Sequence, residues 1–175
     1  EEHFDRCGQA LQHGHIIALL AGVPATILMY FYTPDILHLL VSNSEIVPLA
    51  IDYAMMVIPS IYFNYGSFAF QGFYNGIKMT KTHMKVMVMG NLLNVYLNAG
   101  FIYGSDNVIL FLEKYRLGFL SFLWNIIPFP EMHVQGAGLA TMIASIAMFF
   151  MYLAYLFTPI IKNKFNAFTL QLDKA

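Results

Sequence analysis

The stretch Asn91-Leu-Leu-Asn94-Val-Tyr-Leu-Asn98-Ala-Gly-Phe-Ile-Tyr-Gly104 sets three amides in an otherwise apolar run. At 100° per residue, Asn91, Asn94 and Asn98 stand at i, i+3 and i+7, so they share one narrow helical face opposite an apolar one. Hydrocarbon offers an amide no hydrogen-bond partner, and leaving one unpaired there is costly. The face must therefore look into protein or a wet cavity, which makes it a candidate pathway lining. A plainer reading uses the same amides as interhelical ties, each worth about 0.6 kcal/mol.

Composition supports a membrane setting. Of the 175 residues, 58% are hydrophobic and only 11% charged, a balance outside the range of soluble domains. A formal net charge of -1 and the lack of a clustered basic patch argue against a nucleic-acid partner. The single cysteine, Cys7, excludes an internal disulfide, and no Cys/His set has zinc spacing. The sequence starts at Glu1 with no basic n-region or cleavable apolar segment. It reads as an excerpt of a longer polypeptide.

The polar opening, Glu1 to His13, reads as an interfacial loop or short amphipathic helix. A first span follows over about 14–40, broken by Thr33-Pro34-Asp35 and kinked at Pro24, since about 20 apolar helical residues cross the hydrocarbon. Ser42-Asn-Ser-Glu45 is a turn. The second span, about 47–72, carries a polar stripe at helical spacing, namely Ser60, Asn64, Ser67, Gln71 and Asn75, placed to answer the amides of the next helix. A basic connection from Asn75 to His83 leads into the third span, about 86–103, which holds the asparagine face. Residues 106–132 mix charges with an apolar part too short to cross, and read as an interfacial insertion with Trp124 at headgroup level. The fourth span, about 136–157, opens with Gly136, Ala140 and Ala144 at four-residue intervals, a pattern for close helix approach. A polar tail runs from Lys162. The fold class is thus an all-α membrane protein with a bundle of four transmembrane helices.

Placing both ends and the Asn75–Lys85 connection on one side gives that side Arg6, Lys78, Lys81, Lys85, Lys162, Lys164 and Lys174. The other keeps Lys114 and Arg116. The asymmetry predicts cytoplasmic termini. Enzyme chemistry is not visible: the histidines at 13, 15, 38, 83 and 133 fall at the ends of the spans so bounded, with no convergent acid or nucleophile inside them. His13-Gly-His15 could in principle bind a metal, but interfacial histidines are far commoner.

Several stretches, in chain order, resemble the multidrug and toxic compound extrusion (MATE) transporters and, within them, the NorM-like branch. Gln12-His-Gly-His-Ile-Ile-Ala-Leu-Leu-Ala-Gly-Val-Pro24 is similar to the start of that family's third helix. Phe70-Gln-Gly-Phe-Tyr-Asn-Gly76 with Thr80-Lys81 and Met84 resembles the end of the fourth and the loop after it. Asn94-Val-Tyr-Leu-Asn98 with Phe101-Ile-Tyr-Gly104 resembles the fifth, and Gly136-Ala-Gly-Leu-Ala-Thr141 the start of the sixth.

The resemblance implies a piece of a twelve-helix, two-lobe transporter in an inner (plasma) membrane, contributing helices three to six of the first lobe. It implies export of cationic, amphipathic small molecules in exchange for Na+ or H+, with no organic cofactor. Its other partners are membrane lipid and the remaining helices of the same polypeptide. By the same resemblance the fifth- and sixth-helix motifs line the cavity, with Asn94, Asn98, Thr141 and Ala137; Gln71 and Asn64, from the polar stripe of the second span, complete the expected pathway residues. Asn94, Asn98, Ala137 and Thr141 match groups that surround a first-helix carboxylate in relatives with a monovalent-cation site. Some relatives have Asp where this chain has Asn98, and many have Arg where it has Gln71, and the loop after Gly104 is longer than the family's usual one. Two rival readings are a flippase for lipid-linked intermediates and a non-transporting membrane anchor or assembly subunit. A flippase calls for cationic side chains in the spans to meet phosphate, and the spans as bounded carry none.

Overall fold

Among the residues that the computed structural model describes, 2–159 and Ile161, the chain is helical without strands. Side-chain surroundings are described from Cys7 onward, so the tail from Lys162 lies outside the described residues. Helix α1 covers Glu2–Leu40, α2 Val47–Val57, α3 Ile61–Gly76, α4 Thr80–Tyr103, α5 Ser105–Lys114, α6 Phe122–Ile126 and α7 His133–Leu156. Four stretches are long and apolar enough to cross a membrane: Cys7–Leu40, Val47–Gly76, Thr80–Tyr103 and His133–Leu156.

Several boundaries move from those read in the sequence. Helix α1 runs through Pro24 as expected and also, without the expected break, through Thr33-Pro34-Asp35, because a proline costs one backbone hydrogen bond and the rest of the ladder closes around it. It also absorbs the polar opening. At 1.5 Å per residue its 39 residues extend about 58 Å, well beyond a hydrocarbon core of roughly 30 Å. The second span is not one helix but two, joined at Pro59 by a tight 3-10 turn over Ile58–Ser60. Helix α4 starts six residues earlier than the expected 86, which brings Lys81, His83 and Lys85 into its first turns. Both lysines stay exposed.

The α3–α4 connection is a helix-stop motif. The Lys78 N–H donates to the Asn75 carbonyl (3.1 Å) and the Met79 N–H to the Tyr74 carbonyl (2.8 Å), which satisfies carbonyls that the helix end leaves open. The geometry needs a left-handed residue, and Lys78 fills it at φ 61°. Arg116 repeats the device after α5 at φ 59°, with Arg116 N–H to Glu113 (3.1 Å) and Leu117 N–H to Leu112 (2.8 Å).

The chain forms two compact units. One gathers the chain up to Ile27, Ser60–Gly90 and the chain from Ser145. Its core is aromatic: Tyr74, Phe70, Val86, Tyr152, Leu156 and Leu11 are buried together, and the Phe70 and Tyr74 rings both stack on Tyr152 at 5.8 Å. The other unit comprises Leu28–Pro59 and Asn91–Ala144. Here the small residues expected to mediate close approach do so, with Gly136, Ala140 and Ala144 all buried. A Cβ on Gly136 would lie 2.3 Å from the Phe101 carbonyl oxygen, so α7 meets α4 backbone to backbone.

In the same unit the stretch from Gly104 to Met132 is well tied down. Gly104 turns the chain from α4 into α5 at φ +76°, a conformation that L side chains avoid. The Ser105 and Phe129 backbones then meet, Ser105 N–H donating to the Phe129 carbonyl (3.1 Å) and Phe129 N–H to Ser105 Oγ (2.8 Å). Met132 N–H donates to Phe101 O (2.8 Å) and Tyr96 Oη to the Leu123 carbonyl (2.7 Å). The Trp124 indole, read from sequence as a headgroup anchor, is half-buried and packs on Tyr96 at 5.1 Å.

Two outcomes check this packing in the full-length protein. Gly136→Ala is expected to reduce the yield of folded, monodisperse protein sharply, whereas Gly72→Ala, with nothing within 4 Å of the added carbon, is expected to be neutral; size-exclusion profiles of the two variants decide. Lys78→Gly is expected to raise the thermal unfolding midpoint, since it removes about 1 kcal/mol of left-handed strain; a lower midpoint would contradict the stop motif.

Candidate functional site

The asparagine face exists as a helical face, but its members fare differently. Asn91 is exposed, whereas Asn94 and Asn98 are half-buried, and Asn98 Nδ2 donates to Asn94 Oδ1 at 2.8 Å. One turn apart, the amides answer each other. This arrangement leaves the Asn98 carbonyl oxygen and the Asn94 amide N–H groups with capacity to spare. On α7, Thr141 Oγ donates to the Ala137 carbonyl at 2.9 Å, and its lone pairs remain open. Leu97 and Ala140, the residues just before Asn98 and Thr141, lie in one buried cluster with Phe129. Each polar pair is bonded within its own helix.

Asn64 and Gln71, the other sequence candidates, belong to the other unit. Within that unit the polar stripe of α3 makes hydrogen bonds of its own. Asn64 Nδ2 donates to Ser60 Oγ at 3.2 Å, Ser67 Oγ is buried without a partner, and Asn75 is exposed. Gln71 turns instead to His83, its Nε2 donating to His83 Nε2 at 2.7 Å. That places the ring proton on Nδ1, which donates to Tyr152 Oη at 2.5 Å. Tyr74 Oη donates to the Tyr152 carbonyl at 2.8 Å, so one polar chain ties α3, α4 and α7.

His83 and Tyr152 were missed in the sequence because no periodic signal links them. His83 meets Gln71 across 12 residues of chain and Tyr152 meets His83 across 69, through packing alone. His15 also lies inside a crossing stretch rather than at its end. Its Nδ1 donates to the Leu11 carbonyl (3.0 Å), and its ring sits edge-on to Phe70 at 4.4 Å.

A cation at Asn94, Asn98, Ala137 and Thr141 would meet oxygens only: two side-chain carbonyls, a hydroxyl and a backbone carbonyl. Oxygen donors suit hard cations, and none of these carries charge. No group of three or more His, Cys, Asp or Glu side chains with metal-holding geometry occurs among the described residues. None of these four groups can carry a proton.

The comparisons with known proteins bear on what this arrangement belongs to. The chain is 23% identical over 137 residues to a protein of Bacillus subtilis (strain 168) described as "Probable multidrug resistance protein YoeA", across 78% of this chain and 25% of that protein. The chain thus spans about a quarter of the relative's length. No solved structure matches it significantly. The family model MatE matches residues 1–99, more than half of the sequence. With four helices able to cross a bilayer, the chain is an integral membrane protein that belongs to the MatE family, the multidrug and toxic compound extrusion transporters.

Proposed function

We propose that the protein carrying this chain exports cationic, amphipathic drugs across the plasma membrane in exchange for Na+ or H+, with the termini of this segment cytoplasmic. We further assign Asn94, Asn98 and Thr141 to the ion or substrate pathway. Family membership and the multidrug-resistance relative support export. The lysine distribution supports the orientation. The observation that carries the residue assignment is the Asn98–Asn94 hydrogen bond. It settles one amide within a membrane-crossing helix and leaves a carbonyl oxygen open for a cation or a drug's ammonium group.

Since Asn can offer oxygen but cannot carry a proton, this set suits Na+; H+ coupling would need an acid elsewhere in the polypeptide. Exchange also needs two global states with different affinities, and hence a second bundle against which this one rocks. In the same reading Ala137 contributes its backbone carbonyl, and Asn64 and Gln71 line the pathway on α3. Gln71 has a packing duty as well, through His83.

The intact transporter distinguishes the two kinds of residue. Asn98→Ala is expected to lower drug efflux from cells several-fold while membrane insertion and thermal stability stay at wild-type level. Gln71→Leu is expected to lower efflux and stability together, by about 1 to 3 kcal/mol, because it strands the His83 ring nitrogen. Undiminished efflux in Asn98→Ala, with the protein correctly inserted, would remove that residue from the pathway.

A further inference from the structure

The segment between α4 and α7 is left unused by the transport reading. Its outward side chains are strongly apolar, with Phe111 58%, Phe119 71%, Phe122 55% and Ile126 71% exposed. In water such a patch promotes association. Here the segment is held where two crossing helices end. Helix α5 begins two residues after Tyr103, the end of α4, and the Ser105–Phe129 and Phe101–Met132 hydrogen bonds bring the returning chain back to the same level before His133 opens α7.

Two further observations say what meets this surface. First, the exposed stripe of α4 through Leu92, Val95 and Tyr103 continues onto Phe111 across a cavity of about 390 Å³ lined by Ala99, Tyr103, Asn107, Val108 and Phe111. The apolar surface of the insertion is therefore continuous with the outward apolar side of a membrane-crossing helix. Second, charge is interleaved with the apolar groups: Asp106, Glu113, Lys114 and Arg116 are exposed, and Lys114 Nζ lies 5.8 Å from the Tyr115 ring centroid. A covering protein segment would have to desolvate these charges, at a cost of several kcal/mol per ion. The headgroup region accepts both kinds of group at once, hydrating the ions while the acyl boundary takes the rings.

We propose that residues 105–126 lie in the bilayer interface of the leaflet where α4 ends, with Phe119, Phe122 and Ile126 at the acyl boundary and the charged side chains among the headgroups. The partner is lipid. The insertion fixes the depth of the α4–α7 end, and it does so whether or not the protein exports drugs.

The test uses the full-length protein, made cysteine-free by Cys7→Ser and by equivalent changes outside this segment, in vesicles of phosphatidylethanolamine and phosphatidylglycerol. Single nitroxides are placed at 106, 119, 122 and 126, one per sample. Their collisions with oxygen, which concentrates in the acyl region, and with a water-soluble nickel chelate are read by electron paramagnetic resonance. Labels at 119, 122 and 126 are expected to favour oxygen several-fold, and the label at 106 to favour nickel. Nickel preference at 119 and 122 would put the segment in water and overturn the proposal. Shielding from both reagents would put it beneath another part of the polypeptide or a second copy, and would overturn it equally. Because each position is labelled separately, a variant that fails to fold leaves the others to decide.

Discussion

Hydrocarbon cannot hydrogen-bond, and the fate of every polar group in the crossing helices follows from that constraint. The chain meets it mostly within single helices. Thr26 and Thr141 return their hydroxyls to carbonyls one turn back, Asn64 donates to Ser60, and Asn98 donates to Asn94. The Gln71–His83–Tyr152 chain, with Tyr74, reaches between crossing helices, and it sits in the aromatic core of its unit. Local satisfaction has a functional side. A side chain quieted by its own helix can exchange that bond for a ligand without unfastening its neighbours.

Packing follows a second rule. Apolar side chains gain little from leaving lipid for protein, so helices hold together through close fit and small contact residues. Gly136 against the Phe101 carbonyl is such a contact. Elsewhere large apolar groups face outward, Leu20 at 66% and Phe31 at 68% exposure among them, as suits surfaces that meet acyl chains or helices.

The number and order of the crossings were legible because each is a long apolar run, and their small-residue seam was legible because Gly136, Ala140 and Ala144 repeat every four residues. The break at Pro59 and the continuity through Pro34 were not. A proline reads alike in both places, and what differs is whether neighbours close around it. At the site, helical spacing correctly put Asn94 and Asn98 on one face. It could not show that the two would bond each other, since spacing fixes a shared face and not the rotamers on it. His83 escaped because its partners are set by packing, and the sequence put it in a connection.

Gly104 is the hinge pin of the insertion. At φ +76° any other L residue is strained, and its Cβ would come within 3.2 Å of Glu131. The whole excursion from 105 to 126 thus takes its heading from a single backbone torsion. A substitution at that position would act on direction rather than on chemistry.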